Sequence, residues 1–248
     1  RNTFRYLLGN LNDDFQKIDM ENLDIKQLPE LERYMLHRIY GLNKNFENYF
    51  KSYDFHNLYK ELLNFCTVDL SSFYFDIRKD ALYCDSKNSD RRKSSIVVLN
   101  IILESLVKWF APILSFTTEE IFTLINKEQK SIHLEQFMKY PETFQDEELY
   151  EKWTELKKIR DICNISIEAK RASKEIGSSL EASLVINLNK TLFEISKNVD
   201  FSEICITSSA SVHQSNTDKT IIETVKAEGN KCPVCWKINK VKCERHSD

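Results

Sequence analysis

The chain has 248 residues, enough for one large domain or two smaller ones, and 42% of them are hydrophobic, so it can bury a substantial core. Only four Gly and four Pro are present, and this scarcity of turn-forming residues favours long helices over a strand-rich fold. The formal net charge of −3 excludes a uniformly basic nucleic-acid binder, so any nucleic-acid surface must be a local patch. No apolar run is long enough to predict a membrane span.

Four of the seven cysteines are scattered through apolar or helical sequence, and we predict that they are reduced core residues. They are Cys66, Cys84, Cys163 and Cys205. A disulfide framework is not expected in a chain of this length that shows no secretory signal, which indicates a cytosolic protein. Because the chain begins with Arg1 inside a predicted helix, we interpret it as a piece of a longer protein.

Residues 1–145 are predicted to form an antiparallel helical bundle. Apolar residues at steps of three and four over residues 31–53 predict a helix of about six turns. A second helix beginning near Leu58 is expected to run on, with some adjustment of its geometry, through "SSFYFDIRKDALY". Residues 91–110 are apolar on most sides, so we expect a central helix there.

Two later helices have predicted ends. The stretch "SFTTEEIFTLI" predicts a short helix with Thr117 or Thr118 as its N-cap. A long helix is expected over residues 147–174, with Gly177 as its C-terminal stop.

After this helix the sequence pattern changes. "EASLVINLN" and "EICITSSASVH" predict strands, separated by the short helical stretch "KTLFEISKNV", which together indicate a small α/β unit. The predicted fold class is mainly α, with a helical bundle at 1–145, a long helix plus small α/β junction at 146–225, and a cysteine-rich tail at 226–248.

The tail has the spacing Cys232-x2-Cys235-x7-Cys243-x2-His246. Zn²⁺ prefers four thiolate or imidazole ligands in a tetrahedron, and each short turn can supply two of them. Since protein would fill all four positions, the pattern predicts a zinc knuckle with one structural ion. Two alternatives stay open, a redox pair of Cys232 and Cys235, which would need a thioredoxin-like frame, or chance clustering.

Basic residues surround these candidate ligands, in contrast to the acidic chain as a whole. Trp236 directly follows the second ligand, so a rigid knuckle would present its ring. Such a patch suits stacking on an unpaired RNA base, whereas the alternative is that Trp236 only packs the knuckle against the α/β unit. The basic residues considered for RNA contact are Lys237, Lys240, Lys242 and Arg245.

Arg1 and Arg5 lie one helical turn apart on one face of the predicted first helix. Their charges repel unless carboxylates or phosphates meet them, and the alternative is a solvated face. Asp76, Asp80 and Asp85 have no glycine-rich loop, metal-binding spacing or nucleophile beside them. We therefore predict salt bridges for these carboxylates and assign no catalytic residue.

Five stretches occur in a fixed order: "RNTFRYLLGNLND", "YDFHNLYKELLNFCTVDLSSFYFDIRKDALYCDSKNSDRRKSS", "WFAPILSFTTEEIF", "IEAKRASKEIGSSLEA" and "VKAEGNKCPVCW". Together they closely resemble the C-terminal third of bacterial isoleucyl-tRNA synthetases, which are class I aminoacyl-tRNA synthetases. The resemblance covers nearly all of the chain. Valyl and leucyl enzymes share a related bundle, but "LYCDSKNSDRR" and the terminal knuckle are more similar to the isoleucine enzyme.

The resemblance implies an anticodon-binding helical domain, a small junction and a zinc-binding tail that contact the anticodon stem-loop of isoleucine tRNA. It implies zinc ligation by Cys232, Cys235 and Cys243, with His246 in the fourth place. The chain departs from the family here, because the usual pattern has a longer gap and often a fourth cysteine. The resemblance also supports RNA contact by Arg1 and Arg5. It implies in addition that the tail, which contains Trp236 and its basic neighbours, contacts the tRNA.

The parent enzyme would attach isoleucine to its tRNA with ATP and Mg²⁺. The His-x-Gly-His and Lys-Met-Ser-Lys-Ser signatures of that chemistry are absent from these 248 residues, so the segment is expected to be non-catalytic. Its expected partners are the tRNA and the remainder of the synthetase chain, in a cytosolic monomer without membrane contact. The alternatives are the same region of a valyl-type enzyme, or a zinc-stapled protein-interaction domain.

Overall fold

The computed structural model describes residues 1–126 and 130–246. The chain is mainly helical with a small sheet region, as predicted. It divides into two compact units, residues 1–147 and 148–248, which are described separately. Within the described ranges, no helix is both long and apolar enough to cross a membrane.

The first unit is built from helices. They are α1 (Asn2–Leu11), α2 (Glu30–Lys51), α3 (Phe55–Asn64), α4 (Phe75–Cys84), α5 (Asp90–Phe110) and α6 (Ser115–Ile125). Helix α5 contacts α1, α2, α4 and α6, and most of its side chains are buried. The prediction of a central helix at 91–110 is therefore confirmed.

A ten-residue π-helix, Phe65–Tyr74, joins α3 to α4 without a break. The N–H of Phe75 donates to the carbonyl of Leu70, five residues earlier, which is the π-type hydrogen bond. Because a π-helical turn is wider than an α-helical one, residues about four positions apart lie on the same side of the segment and face the core. The buried residues are Phe65, Cys66, Asp69, Leu70, Phe73 and Tyr74. The expected adjustment of a continuous helix thus takes the form of a π-helix.

A buried ion pair joins α2 to α4. Arg78 donates through Nε and Nη2 to the two carboxylate oxygens of Glu32, both at 2.6 Å, and neither side chain is more than 2% exposed. The hydroxyls of Tyr74 and Ser95 donate to the same Glu32 Oε1 at 3.2 Å. Because a buried charge is costly unless it is paired and hydrogen-bonded, these contacts hold four elements in register.

The predicted salt bridges of the acidic residues in this region are present. Asp76 pairs with Lys79 at 2.8 Å, and Arg91 pairs with Asp80 and Asp85 at 2.9 and 2.8 Å.

We predict that Arg78→Met lowers the free energy of unfolding by about 3–5 kcal/mol, because it leaves the Glu32 carboxylate buried without a counter-charge. Urea denaturation followed by circular dichroism measures this loss. The matched control is Lys79→Met, which removes an exposed pair with Asp76 and should cost less than about 1 kcal/mol. Equal losses in the two variants would show that the buried pair has no special role.

The second unit begins with α7 (Glu147–Ala172) and contains a three-stranded sheet of order β2-β1-β3. The strands are β1 (Ala182–Leu188), β2 (Ser209–Gln214) and β3 (Ile221–Lys226), with short helices α8 (Lys190–Ser196) and α9 (Phe201–Ile204) between β1 and β2. β1 runs parallel to β2 and antiparallel to β3. Every second residue of β1 is buried, as expected for a strand with one core face.

Two predicted helix ends are wrong. α6 begins after Leu114, and the hydroxyl of Thr118 donates back to the carbonyl of Leu114 at 3.1 Å instead of capping the helix. α7 ends at Ala172, and the left-handed residue that follows is Lys174 (φ 62°), not Gly177. Thr118 is fully buried, so its side chain lies inside the unit and not at the start of the helix.

The stretch "EICITSSASVH" is not one strand. Its first residues belong to α9, which Asp200 caps by accepting from the N–H groups of Ser202 and Glu203, and only Ser209–Gln214 is a strand. Of the scattered cysteines, Cys66, Cys163 and Cys205 are buried as predicted, whereas Cys84 is half-buried. Desolvation by burial raises the pKa of the Cys66 thiol to about 11, which makes it inert.

Candidate metal centre and nucleic-acid interface

The tail brings its three cysteines and one histidine into a single cluster. The candidate ligand atoms of Cys232, Cys235, Cys243 and His246 all lie within 4.8 Å of one another. His246 Nδ1 is 3.5 Å from Cys232 Sγ and 3.4 Å from Cys243 Sγ, and the sulfurs of Cys235 and Cys243 are 3.9 Å apart. The cluster could therefore hold a metal ion.

Three of the six separations among the candidate ligand atoms fit a tetrahedral zinc centre. With Zn–S of about 2.3 Å and Zn–N of about 2.0 Å, a regular tetrahedron places two sulfurs about 3.8 Å apart and a sulfur and a nitrogen about 3.5 Å apart. The three distances above differ from these values by about 0.1 Å. The donor set of three thiols and one imidazole is also one that Zn²⁺ prefers.

A short hairpin carries the first two cysteines. β4 (Asn230–Lys231) pairs with β5 (Ile238–Asn239), and within the turn the N–H of Cys232 donates to Lys237 O at 2.9 Å. The N–H of Trp236 donates to Cys232 O at 3.0 Å. The turn therefore points both sulfurs to the same side.

Gly229 allows the hairpin to close. Its φ is +130°, and a Cβ at this position would lie 2.2 Å from the carbonyl oxygen of Asn239. Only glycine avoids both the backbone strain and this clash. Sequence reasoning missed this residue, although "EGN" directly before the first cysteine was a signal for a tight turn.

Backbone donors favour the thiolate at the first ligand. Hydrogen bonding from the Cys235 N–H, the largest cause, and from the Val234 N–H lowers the pKa of Cys232 to about 6. Desolvation raises the pKa of Cys235 instead. Because only a thiolate ligates a metal, the turn prepares one ligand, and a bound cation would be needed to deprotonate the other.

Ser208 and Ser202 tie the hairpin to the α/β part of the second unit. The Ile238 N–H donates to Ser208 Oγ at 2.6 Å, and Ser208 donates in turn to the Leu180 carbonyl. Lys237 Nζ donates to Ser202 Oγ at 3.3 Å. Sequence reasoning missed both serines, since nothing in a lone serine distinguishes this role.

Trp236 is presented to solvent. Its backbone is left-handed at φ 63°, its side chain is 58% exposed, and Lys231 Nζ lies 5.2 Å from the ring centroid. A non-glycine residue in this region of the Ramachandran plot carries strain, which the hairpin contacts must offset. An exposed ring beside a cation is suited to stacking on a base.

Comparison with known proteins gives the family. Residues 32–186 match the model of the anticodon-binding domain of tRNA ligases. The chain belongs to this family. It is 93% identical over its full length to the isoleucine–tRNA ligase of Pelagibacter ubique, and spans 27% of that protein. It is 38% identical over 96% of its length to the isoleucine–tRNA ligase of Agrobacterium fabrum, and 39% identical over 97% to that of Bartonella henselae.

The chain thus spans about a quarter of the length of these relatives. The resemblance to the C-terminal region of bacterial isoleucyl-tRNA synthetases, inferred from the five stretches, is confirmed.

Two residues predicted to contact RNA lie together in the first unit of this anticodon-binding chain. Arg1 precedes α1, and the Arg5 N–H donates to its carbonyl at 3.0 Å. Both side chains line a mainly apolar cleft of about 470 Å³ between α1 and α6. Arg1 meets a carboxylate, Glu120, at 3.8 Å, but both side chains are largely exposed, so this pair restrains the arginine little.

The remaining basic residues of the tail differ in their surroundings. Lys240 forms an exposed pair with Glu228 at 2.9 Å, and Lys237 is bound to Ser202 as described. Lys242 and Arg245 are exposed. Thus Lys237 is half-buried and contacts Ser202, whereas Lys240, Lys242 and Arg245 reach the surface.

We predict about one zinc per chain when the protein is expressed with zinc present, measured by elemental mass spectrometry against protein concentration. Cys235→Ser should retain less than half of this amount, because a hydroxyl is a poor zinc ligand. The matched control is Cys84→Ser, which lies outside the cluster and should keep the full content. Metal-free wild-type protein would exclude the zinc centre.

Proposed function

We propose that the chain is the tRNA-recognition portion of an isoleucyl-tRNA synthetase and that its partner is the anticodon stem-loop of isoleucine tRNA. The observation that carries this proposal is the match of residues 32–186 to the anticodon-binding domain, together with 93% identity to an isoleucine–tRNA ligase over the whole chain. The parent enzyme would attach isoleucine to that tRNA with ATP and Mg²⁺. The segment itself is non-catalytic and takes no part in that chemistry.

In the proposed architecture, the helical unit and the tail have different structures. The helical unit is an antiparallel bundle of the class I synthetase type, and the tail is a zinc knuckle with one structural ion. The contact distances of the cysteine and histidine cluster support zinc. The zinc stabilises the hairpin and supplies no reaction chemistry, because four protein ligands leave no place for water.

The RNA contacts follow from the chemistry of the exposed side chains. Arg1 and Arg5 on the first unit, and Lys240, Lys242 and Arg245 on the tail, attract phosphates. Trp236 stacks on an unpaired base, since the bases of a single-stranded loop expose their flat faces to solvent. The cation beside this ring, Lys231, adds a contact to the same nucleotide.

The proposal extends to the surroundings of the molecule. The working protein is a cytosolic monomer in which this region is joined to the rest of the synthetase chain. The same region of a valyl-type enzyme, and a zinc-stapled protein-interaction domain, are the two alternatives.

We expect the chain to bind a transcript of Pelagibacter ubique isoleucine tRNA more tightly than the corresponding valine tRNA. The affinity should fall at least about tenfold between about 50 and 200 mM salt, because lysine and arginine side chains displace counterions from the phosphates. Filter binding at the two salt concentrations measures both effects.

The alternatives predict different results in the same titration. Preference for valine tRNA would identify a valyl-type region. If both tRNAs are retained weakly and equally on the filter, and salt does not change their retention, RNA recognition is contradicted and a protein partner is favoured.

Trp236→Ala is expected to weaken tRNA binding by roughly 5- to 160-fold, because stacking on one base contributes about 1–3 kcal/mol. Trp236→Phe, which keeps an aromatic face, should recover part of this loss. Val241→Ala is the matched control, since Val241 is also exposed on the tail but offers no ring. If Trp236→Ala binds within twofold of wild type while metal content and circular dichroism are unchanged, the ring serves packing only.

A further inference from the structure

A second cleft in the first unit carries a local excess of positive charge. Its volume is about 470 Å³, and it lies between the segment after α1 and the N-terminal part of α5. It is lined by Asp14, Phe15, Gln16, Lys87, Arg92, Lys93, Ile96 and Val97. Three cations against one carboxylate give a formal local charge of +2, in a chain whose net charge is −3. We call it the α5 cleft.

One wall of the α5 cleft is pinned by a buried amide. Asn100, only 1% exposed, accepts from the Gln16 N–H at 2.9 Å and donates to the Asp14 carbonyl at 3.3 Å. A buried side chain that satisfies two backbone groups holds the segment against α5. The cleft is therefore a built feature of the fold.

The opposite wall is held by a different arginine. The Arg91 guanidinium forms ion pairs with Asp80 and Asp85, and the Ser89 hydroxyl donates to Asp85 as well. This ties the loop that carries Lys87 to the start of α5. Arg92 is oriented by a 3.3 Å hydrogen bond to the Asp85 carbonyl.

The three cations of the cleft have no carboxylate partner in the described part of the chain. Lys87 and Lys93 are exposed, and Arg92 is half-buried. Three like charges gathered against the single carboxylate of Asp14 raise the free energy of the isolated chain, so they favour an anionic ligand. Ile96 and Val97 give the floor an apolar patch suited to a ribose or a base edge.

We propose that the α5 cleft binds the phosphate backbone of the tRNA, with Lys87, Arg92 and Lys93 as the contacting residues. This rests on the proposed function, and it adds a contact region on the first unit separate from the cleft that contains Arg1 and Arg5. Phosphate contacts of this kind fix the position of the RNA and do not read its sequence. The cleft therefore contributes affinity to isoleucine and valine tRNA alike.

The test is the double variant Lys87→Gln/Lys93→Gln in filter binding with isoleucine tRNA over a series of salt concentrations. The expected result is a loss of about tenfold in affinity and a decrease of about 1.5 in the slope of log affinity against log salt, corresponding to two lost phosphate contacts. The preference over valine tRNA should be unchanged. The matched control is Lys60→Gln/Lys139→Gln, which changes the net charge equally at exposed sites outside the cleft.

A cleft variant that binds no worse than this control, with an unchanged salt slope, overturns the proposal. If wild-type protein binds neither tRNA, the proposed function fails and the cleft proposal falls with it. A wild type that binds, with a cleft variant equal to the control, removes only the cleft.

Lysine acetylation gives a readout that does not depend on variants. Isoleucine tRNA should protect Lys87 and Lys93 from acetylation by at least about threefold, whereas Lys60 and Lys139 should react equally with and without it. Equal modification of all four lysines in the presence of saturating tRNA contradicts the proposal. Protection by inorganic pyrophosphate but not by tRNA would also overturn it, because the ligand would then be a free anion.

Discussion

The buried pair of Glu32 and Arg78 is the constraint on which the first unit depends. Two charges enclosed by apolar helices are tolerated only when every polar atom has a partner, and here two guanidinium donors and two hydroxyls meet one carboxylate. These directional contacts specify how α2, the π-helix, α4 and α5 fit together, whereas the surrounding leucines and phenylalanines would accept several arrangements. The π-helix is part of this solution, because it delivers Tyr74 to the carboxylate.

The tail of the second unit is held together in a different way. The residues after β3 contain few apolar side chains, and a segment of this size cannot build a core of its own. Its hairpin is fixed instead by Gly229, by the backbone hydrogen bonds of the turn and by Ser208. Four ligand atoms within 4.8 Å complete the arrangement, and a metal there would replace the missing core as a source of stability.

Much of the helical structure could be predicted from the sequence because amphipathic patterns of ten residues or more are long signals. The ends of two helices could not, since Thr118 is buried within α6 and the left-handed residue after α7 is Lys174 and not Gly177. The metal cluster was visible because its four ligands are close in sequence. Gly229 and Ser208 were not, because their roles arise from contacts with Asn239 and Ile238 that only the folded hairpin creates.

In the sequence "DRRK" at the start of α5, the rotation from one helical residue to the next directs neighbouring basic side chains to different surroundings. One of them is paired with carboxylates, and the others can meet a ligand. Successive residues turn by about 100° around the axis, so Lys93 points about 160° away from Arg91. Arg91 faces Asp80 and Asp85 and is neutralised there, whereas Arg92 and Lys93 line the open cleft. Consecutive basic residues thus differ in role: Arg91 neutralises two carboxylates, Arg92 contacts a loop carbonyl, and Lys93 faces solvent. An acidic protein can in this way present a local basic patch, because at this site the nearby carboxylates Asp80 and Asp85 are paired with Arg91 and the neighbouring cations are left outside that pairing.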